Sequence, residues 1–487
     1  MGGSEGPVPA NRVSALILYA ALAGPPFLFG SREPTTIAFW CALLGVGLIF
    51  ASTRHLRAGH VRILAGLVFV ALCYGFVLHE QLADQPWVAS PNPIWAKASE
   101  ALGAPIKPSV SIVRGEPYFA LGVPLSNILA LILGLIVGAQ RGRARQGLRV
   151  MAWAGVGYAV YGILALLIDP TMILWREKTA YVGNLTATFV NRNTAAAFFG
   201  SCSVLWLIRL LEAIRRRLPR GGVEWGALLQ AILTDPGRDV IVRFIMLTIC
   251  LVAMFATGSR GGVLCSLLAM VIAFTIFVRR DIARAKGLLI AFVCAGLVVI
   301  FLFQVMGSNV GGRINLGGLS DEARLSAWRS TLRIIAENPW FGTGLGTFAW
   351  SFPAYRSNEM SMWGVWDIAH NTYLEFASEL GIPLAILVGM AWIVAIAVLV
   401  RGLGGQRRDS GPVLAALMVS LIALLHSSID FSLQIAGYSI VVFALLGVGL
   451  GQSLRADEIS GEPGRPVKKR RRPGAGGEPA INAGQPD

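Results

Sequence analysis

Twelve apolar runs of membrane-crossing length constrain this chain more than any other feature. A spanning helix needs roughly 20 mostly apolar residues. The runs fall at 13–30, 35–53, 63–80, 118–139, 150–168, 194–211, 240–258, 261–278, 287–306, 381–400, 412–430 and 435–453. Composition agrees: 55% of the 487 residues are apolar and 14% are charged, against about 25% charged in ordinary soluble domains. Mean hydropathy is +0.63. These values exclude a soluble enzyme, a disordered chain and a coiled coil, and they predict an all-α polytopic membrane protein. The first run follows Arg12 and reads as a retained first span rather than a cleaved signal peptide. All six cysteines sit inside apolar runs with no CxxC spacing. They read as small buried apolar residues, not as a disulfide or metal framework.

The net charge of +15 would point to nucleic acid on a soluble chain. Here the basic residues cluster in every second loop, at Arg54/Arg57/Arg62, Arg141 to Arg149, Arg209 to Arg243, Arg279 to Lys286, Arg401 to Arg408, and in the tail from Arg455 to Arg472. The positive-inside bias then places both termini in the cytoplasm and excludes a nucleic-acid partner. The predicted organisation is a cytoplasmic N-terminus (1–12), helices one to nine (13–306), a large outer loop (307–380), helices ten to twelve (381–453) and a basic tail (454–487). The tail, with Lys468 to Arg472 among Gly and Pro, is expected to be disordered and to lie on anionic lipid.

Three outer segments remain: 81–117, 169–193 and 307–380. The third is rich in tryptophan (Trp328, Trp340, Trp350, Trp363, Trp366). Its stretch 321–337 has helical spacing of Leu325, Trp328, Leu332 and Ile335, with Ser320 as a cap and Asn338-Pro339 as a stop. Gly342 to Phe348, GTGLGTF, fits no phosphate-loop pattern and reads as a tight turn.

Chemistry near a bilayer belongs to polar residues in interfacial cavities. Asn191, Arg192 and Asn193 enter a span from the outer side. Arg192 can snorkel to headgroups or face an anion. Arg260 lies in a very short outer turn, Gly258 to Gly262, where the positive-inside bias disfavours arginine and the glycines permit close backbone approach. Arg324 accompanies Trp328 on the loop helix, with Arg329 and Arg333 on another face. Asp367 can cap a helix ending at Gly381. That would put His370 in its first turn, where the dipole favours a neutral imidazole able to act as a base. Asn371 adjoins it, and Asp430 sits at the outer end of the eleventh span, as a partner for an outer arginine or a substrate contact.

TFVNRN (188–193), GSRGG (258–262), RLSAW (324–328), NPWFGTGLGTF (338–348), AHNTYLEFASELGI (369–382) and HSSIDFSL (426–433) together resemble, in order and in topological position, the motifs of the O-antigen ligase/polymerase superfamily. The resemblance covers roughly 180–435. It implies a GT-C-like inverting glycosyltransferase of the bacterial inner membrane. Such an enzyme takes a glycan from undecaprenyl diphosphate on the periplasmic side. It joins it to lipid A–core in ligases, or to another lipid-linked repeat in polymerases. It further implies His370 as the catalytic residue, Arg192, Arg260 and Arg324 as diphosphate contacts, and Asn371 and Asp430 as further substrate contacts. The sequence holds no Asp-x-Asp, the pair with which many soluble glycosyltransferases hold a metal, so arginine is expected in the metal's place and no cofactor is expected. A transporter for an anion or solute is the rival reading. It would place ionisable groups at mid-bilayer in repeated, broken helices, whereas here the polar residues concentrate in one outer loop.

Overall fold

The computed structural model describes residues 9–217, 237–278, 296, 322–358, 360, 366–405 and 410–460. In chain order its helices are α1 (Pro9–Ala23), α2 (Pro34–Ile49), α3 (Ala58–Leu82), α4 (Ile94–Leu102), α5 (Glu116–Ala120), α6 (Gly122–Gly138) and α7 (Arg141–Ile168). A short antiparallel hairpin follows, β1 (Met172–Ile173) and β2 (Arg176–Glu177). Then come α8 (Arg192–Arg217), α9 (Gly237–Ala256), α10 (Arg260–Val278), α11 (Glu322–Glu337), α12 (Phe348–Ser351), α13 (Thr372–Leu380), α14 (Ile382–Gly405), α15 (Gly411–Ser427) and α16 (Ala436–Ser460).

Among the described residues eight helices are long and apolar enough to cross a membrane: α3, the stretch Glu116–Gly138, α7, α8, α9, α10, α14 and α16. The shorter apolar helices α1, α2 and α15 match three more of the predicted runs. The run 287–306 apart from Gly296, the cap Ser320, Trp363 and the tail beyond 460 lie outside the described residues, and residues 454–460, expected in the disordered tail, continue α16.

Helices α8 and α16 form the centre of the bundle, whereas α3 and α14 expose most of their apolar surface. Leu72 and Ile393, on those outer helices, are 67% and 70% exposed. Apolar surface of that extent is stable only against lipid. The α6–α16 contact is close because glycines line it: a Cβ on Gly134 would lie 2.2 Å from the Ala444 carbonyl oxygen, and one on Gly447 would lie 2.2 Å from that of Leu131. Without a hydrophobic force between helices in lipid, such small-residue contacts supply van der Waals packing.

At one end of the bundle a second layer is built from α11, α12 and α13 around Ala327, Ile334, Phe348, Phe352 and Ala369. The α11 span agrees with the predicted 321–337, and of its spaced apolar residues Ile335 is buried and Trp328 partly buried. Leu325 and Leu332 are exposed, while Ser326, Ala327, Ser330, Thr331, Ile334 and Ile335 are buried.

The GTGLGTF stretch is a tight turn, with Gly342, Gly344 and Gly346 at φ +67°, +115° and +78°. It lies on the end of α13, where Thr343 and Gly344 donate to the Ser378 and Glu379 carbonyls at 2.9 and 3.1 Å. Gln81, at the end of α3, locks the turn. Its amide donates to the Phe341 and Glu379 carbonyls at 2.7 and 2.8 Å and accepts from Leu345 N–H at 3.0 Å. Its neighbour Glu80 accepts from the backbone of Trp87, Val88 and Ala89, tying the 81–117 segment to the same helix end.

Candidate functional site

The loop 428–432, between α15 and α16, gathers the predicted site residues. Asp430 is buried, with its side chain 2% exposed. It accepts hydrogen bonds from the Asn193 amide and from Phe431 N–H. His370 Nδ1 lies 3.9 Å from Asp430 Oδ1, an ion-pair separation beyond hydrogen-bond length. Burial raises the Asp430 pKa, but the facing His370 and His426 and the Phe431 N–H outweigh it, so the net direction is down. The imidazole stands edge-on to Trp366 and Phe431, with centroids 5.4 and 5.1 Å away.

The neighbouring residues of the loop take the other elements. Arg324, on α11, donates to the Ile429 carbonyl at 3.1 Å. Asn371 donates to the Ser428 carbonyl at 3.0 Å, Thr372 to that of Asp430 at 3.2 Å, and Tyr373 to that of Leu424 at 2.7 Å. Of the three α11 arginines, Arg324 therefore reaches this loop. Arg333 lies over the Tyr355 ring, 5.9 Å from its centroid.

Arg192, the first residue of α8, donates to Asn184 Oδ1 at 2.7 Å and sits 5.1 Å from the Tyr181 ring centroid. The GSRGG turn lies beside it. Gly258 has φ +65°, and a Cβ there would be 3.3 Å from the Asn184 amide and 3.9 Å from an Arg192 guanidinium nitrogen. A Cβ on Gly261 would strike Ile429, 2.3 Å away, and one on Gly262 would strike Ala196, 2.5 Å away. The glycines thus let the first turn of α10, led by Arg260, seat against α8 and the 428–432 loop. Tyr181 registers the same convergence. Burial raises its hydroxyl pKa, Asp430 adds to the rise, and Arg192 and Arg324 oppose it.

One expectation is corrected. His370 is not in the first turn of a helix capped by Asp367. Helix α13 starts at Thr372, and its cap is Asn371, whose side chain accepts from Tyr373 and Leu374 N–H, both at 3.1 Å. Asp367 instead faces Arg32 at 3.9 Å. His370 precedes the cap in the left-handed region, φ +53°, a strained conformation for a side-chain-bearing residue.

That conformation is held from both sides through the preceding peptide. Ala369 N–H donates to Glu375 Oε2 at 2.7 Å, and Trp328 Nε1 donates to the Ala369 carbonyl at 3.1 Å. Glu375 and Glu379 are both buried on α13. Burial, then the Glu379 charge, raises the Glu375 carboxyl well above the ordinary range. Burial pushes Glu379 up to about 7. Asn193, noted in the sequence beside Arg192, proves to hold Asp430. Asn184, Tyr181 and Glu375 were given no role from the sequence, because they act through contacts that local spacing does not reveal.

Among the described residues no group of three or more His, Cys, Asp or Glu side chains is placed to hold a metal ion. The arrangement offers two imidazoles near a buried carboxylate, the partly exposed His370 and the buried His426, and three arginines at the same end of the bundle. That suits a proton transfer beside an anionic leaving group.

Among curated proteins none matches the chain. Residues 245–389 match the family model described as O-antigen ligase. The matched span includes Arg260, Arg324, His370 and Asn371 and leaves Arg192 and Asp430 outside it. The match supports the O-antigen ligase/polymerase superfamily that the motifs resemble, and with it a membrane enzyme of bacterial surface-polysaccharide synthesis.

Proposed function

We propose that the protein is an inner-membrane glycosyltransferase that moves a glycan from undecaprenyl diphosphate to an acceptor hydroxyl on the periplasmic side, with both termini in the cytoplasm. The observation that carries this reading is the convergence of His370, Asp430 and the arginine-bearing turns on the loop 428–432. With Nδ1 turned toward the Asp430 carboxylate, the Nε2 lone pair of His370 serves as the base. The acceptor oxygen attacks the anomeric carbon and its proton passes to His370. The bond from that carbon to the phosphate oxygen breaks, and lipid diphosphate leaves with the electron pair. Attack opposite the leaving group inverts the anomeric centre.

Arg192, Arg260 and Arg324 neutralise the departing diphosphate, the task a metal performs elsewhere, so the reaction is metal-independent. Asn371, expected as a substrate contact, supports the site by capping α13 and tying it to the Ser428 carbonyl, and the buried Asp430 supports it by facing His370. Energy comes from the phospho-sugar bond. The acceptor is lipid A–core in a ligase and a second lipid-linked glycan in a polymerase.

The test uses purified full-length protein in nanodiscs with undecaprenyl-diphosphate-linked glycan. Paired donor-binding and product assays are run on wild type and His370→Ala. The proposal expects His370→Ala to bind donor and form no product. Wild-type turnover by the variant would refute it. Deleting the gene then separates the acceptors: long lipid-linked chains that never reach lipid A–core identify a ligase, and single-repeat products identify a polymerase.

A further inference from the structure

A cleft of ≈ 410 Å³ opens beside this site, between the 29–34 turn and the segment 173–190. Small-molecule sites have volumes of about 300–1,000 Å³. Its walls include Phe29, Arg32, Glu33, Arg176, Glu177 and Lys178. Acidic and basic planar groups beside an aromatic ring are what a sugar needs. Carboxylates and guanidinium forks bind hydroxyls, while Phe29, 6% exposed beneath Arg176, forms the floor and the exposed ring beside the cleft is Trp175, free to meet an apolar C–H face. Arg176 lies over the Phe29 ring, 4.4 Å from its centroid, and 3.4 Å from Glu33. Trp175 stands edge-on to Phe29 at 5.2 Å and is 61% exposed at the hairpin tip.

Two bridges join the cleft to the candidate site. Lys178 Nζ donates to the Asn184 carbonyl at 3.1 Å, and the same residue's side chain accepts from Arg192. On the other wall Arg32 faces Asp367 at 3.9 Å, next to Trp366, whose ring meets His370.

Backbone strain marks the same place. Among the described residues the non-glycine residues with positive φ are Phe29, Ser31, Leu174, Tyr181, Ala187 and His370. All but His370 lie in the two segments that wall the cleft. Such conformations cost about 1–3 kcal/mol each and persist where the surroundings enforce them, often at ligand sites.

We infer that this cleft is a carbohydrate subsite, which seats the sugar rings next to the reacting end of the glycan. The inference rests on the glycosyltransferase reading. The occupant is a pyranose-ring glycan, carried by either the donor or the acceptor.

Ala180→Trp tests it. Ala180 lines the cleft and is exposed, so an indole there fills the space without entering the core. The binding probe is the lipid-free oligosaccharide repeat released by mild acid from the source bacterium's own surface glycan. It is titrated calorimetrically into full-length protein carrying His370→Ala, with and without Ala180→Trp. The expected result is at least about tenfold weaker binding with Ala180→Trp, a difference of about 1.4 kcal/mol. Unchanged binding overturns the inference.

In the otherwise wild-type enzyme, Ala180→Trp should raise KM about tenfold for one substrate while kcat holds. A donor KM rise assigns the cleft to the donor glycan, and an acceptor KM rise assigns it to the acceptor. A kcat loss with both KM values unchanged overturns the inference. The titration needs no turnover, so a failure of the transferase reading alone leaves glycan binding and its loss in Ala180→Trp intact.

Discussion

Removing Glu375 should show how strongly the fold positions His370. Its carboxyl oxygen lies 2.7 Å from Ala369 N–H, in a region where Ala369 is fully buried. Glu375→Ala leaves that N–H without its acceptor, which costs about 1–3 kcal/mol. On its N-terminal side the strained His370 backbone then keeps the Trp328 bond to the Ala369 carbonyl, and on the other side the Asn371 anchor to Ser428. At 1.36 kcal/mol per tenfold in rate, the expected loss in kcat is about 5- to 150-fold. Donor KM should change little, because the arginines sit on other elements.

Glu375→Gln is the informative control. Burial and the Glu379 charge favour the protonated acid, and glutamine has its shape and keeps an acceptor oxygen for Ala369. It should remain within about twofold of wild type, since one hydrogen bond is exchanged for an equivalent one. The assay is the initial rate of glycan transfer by full-length protein in nanodiscs, with thermal melting to monitor folding. Equal losses in the alanine and glutamine variants, or a fully active Glu375→Ala, would refute positioning through Ala369.

Arg260→Lys keeps the charge but loses the planar fork. It should cut product about tenfold or more at normal membrane abundance, read by immunoblot and surface-glycan gel; an active lysine variant would count against diphosphate binding. Asp430→Asn should lower kcat by about 10²-fold or more, because base catalysis is typically worth 10²–10⁴. Initial rates across pH 5–8 check it. The Asp430 pKa is lowered, so the carboxylate stays ionised throughout that range and its own titration adds no acid limb. Glu379 carries the opposite sign: its pKa rises from 4.5 to about 7 in the fold. The stability it contributes is complete below about 4.5 and is lost as pH rises through about 7. Melting temperature should therefore fall between pH 5 and pH 8, and Glu379→Gln should flatten that slope. Activity should persist in EDTA, since guanidinium groups supply the positive charge; strict dependence on added Mg²⁺ would overturn that assignment.

The spans were legible because a bilayer demands one simple property, a long apolar run, and neighbouring helices need not be known. The α11 boundaries were legible for a similar reason, since Asn338-Pro339 ends a helix in any context. Its buried face was legible only in part. Apolar spacing selected Ile335, which is buried, but also Leu325 and Leu332, which are exposed, whereas the small residues Ser326, Ala327, Ser330 and Thr331 are buried. The start of α13 was misread because Asp367 and Asn371 are both good caps. Contacts far away in sequence decide between them: Arg32 faces Asp367, and the Ser428 carbonyl accepts from Asn371. Glu375 was hidden for the same reason. Nothing local distinguishes a helix glutamate in water from one that holds a neighbouring loop.

The displacement of His370 from the helix changes what sets its chemistry. A first-turn histidine would owe its neutral form to the helix dipole, an effect that fades within one turn. Outside the helix, it faces the Asp430 carboxylate, 3.9 Å from Nδ1. A carboxylate stabilises the imidazolium that forms as a proton arrives, so it helps when His370 accepts the acceptor's proton. The dipole would oppose that step. Asp430 is itself fixed by Asn193 at the start of α8, one residue from Arg192. Under the proposed mechanism the same helix end would steady the base through Asp430 and present an arginine to the leaving group, so that one element would serve both proton acceptance and diphosphate departure.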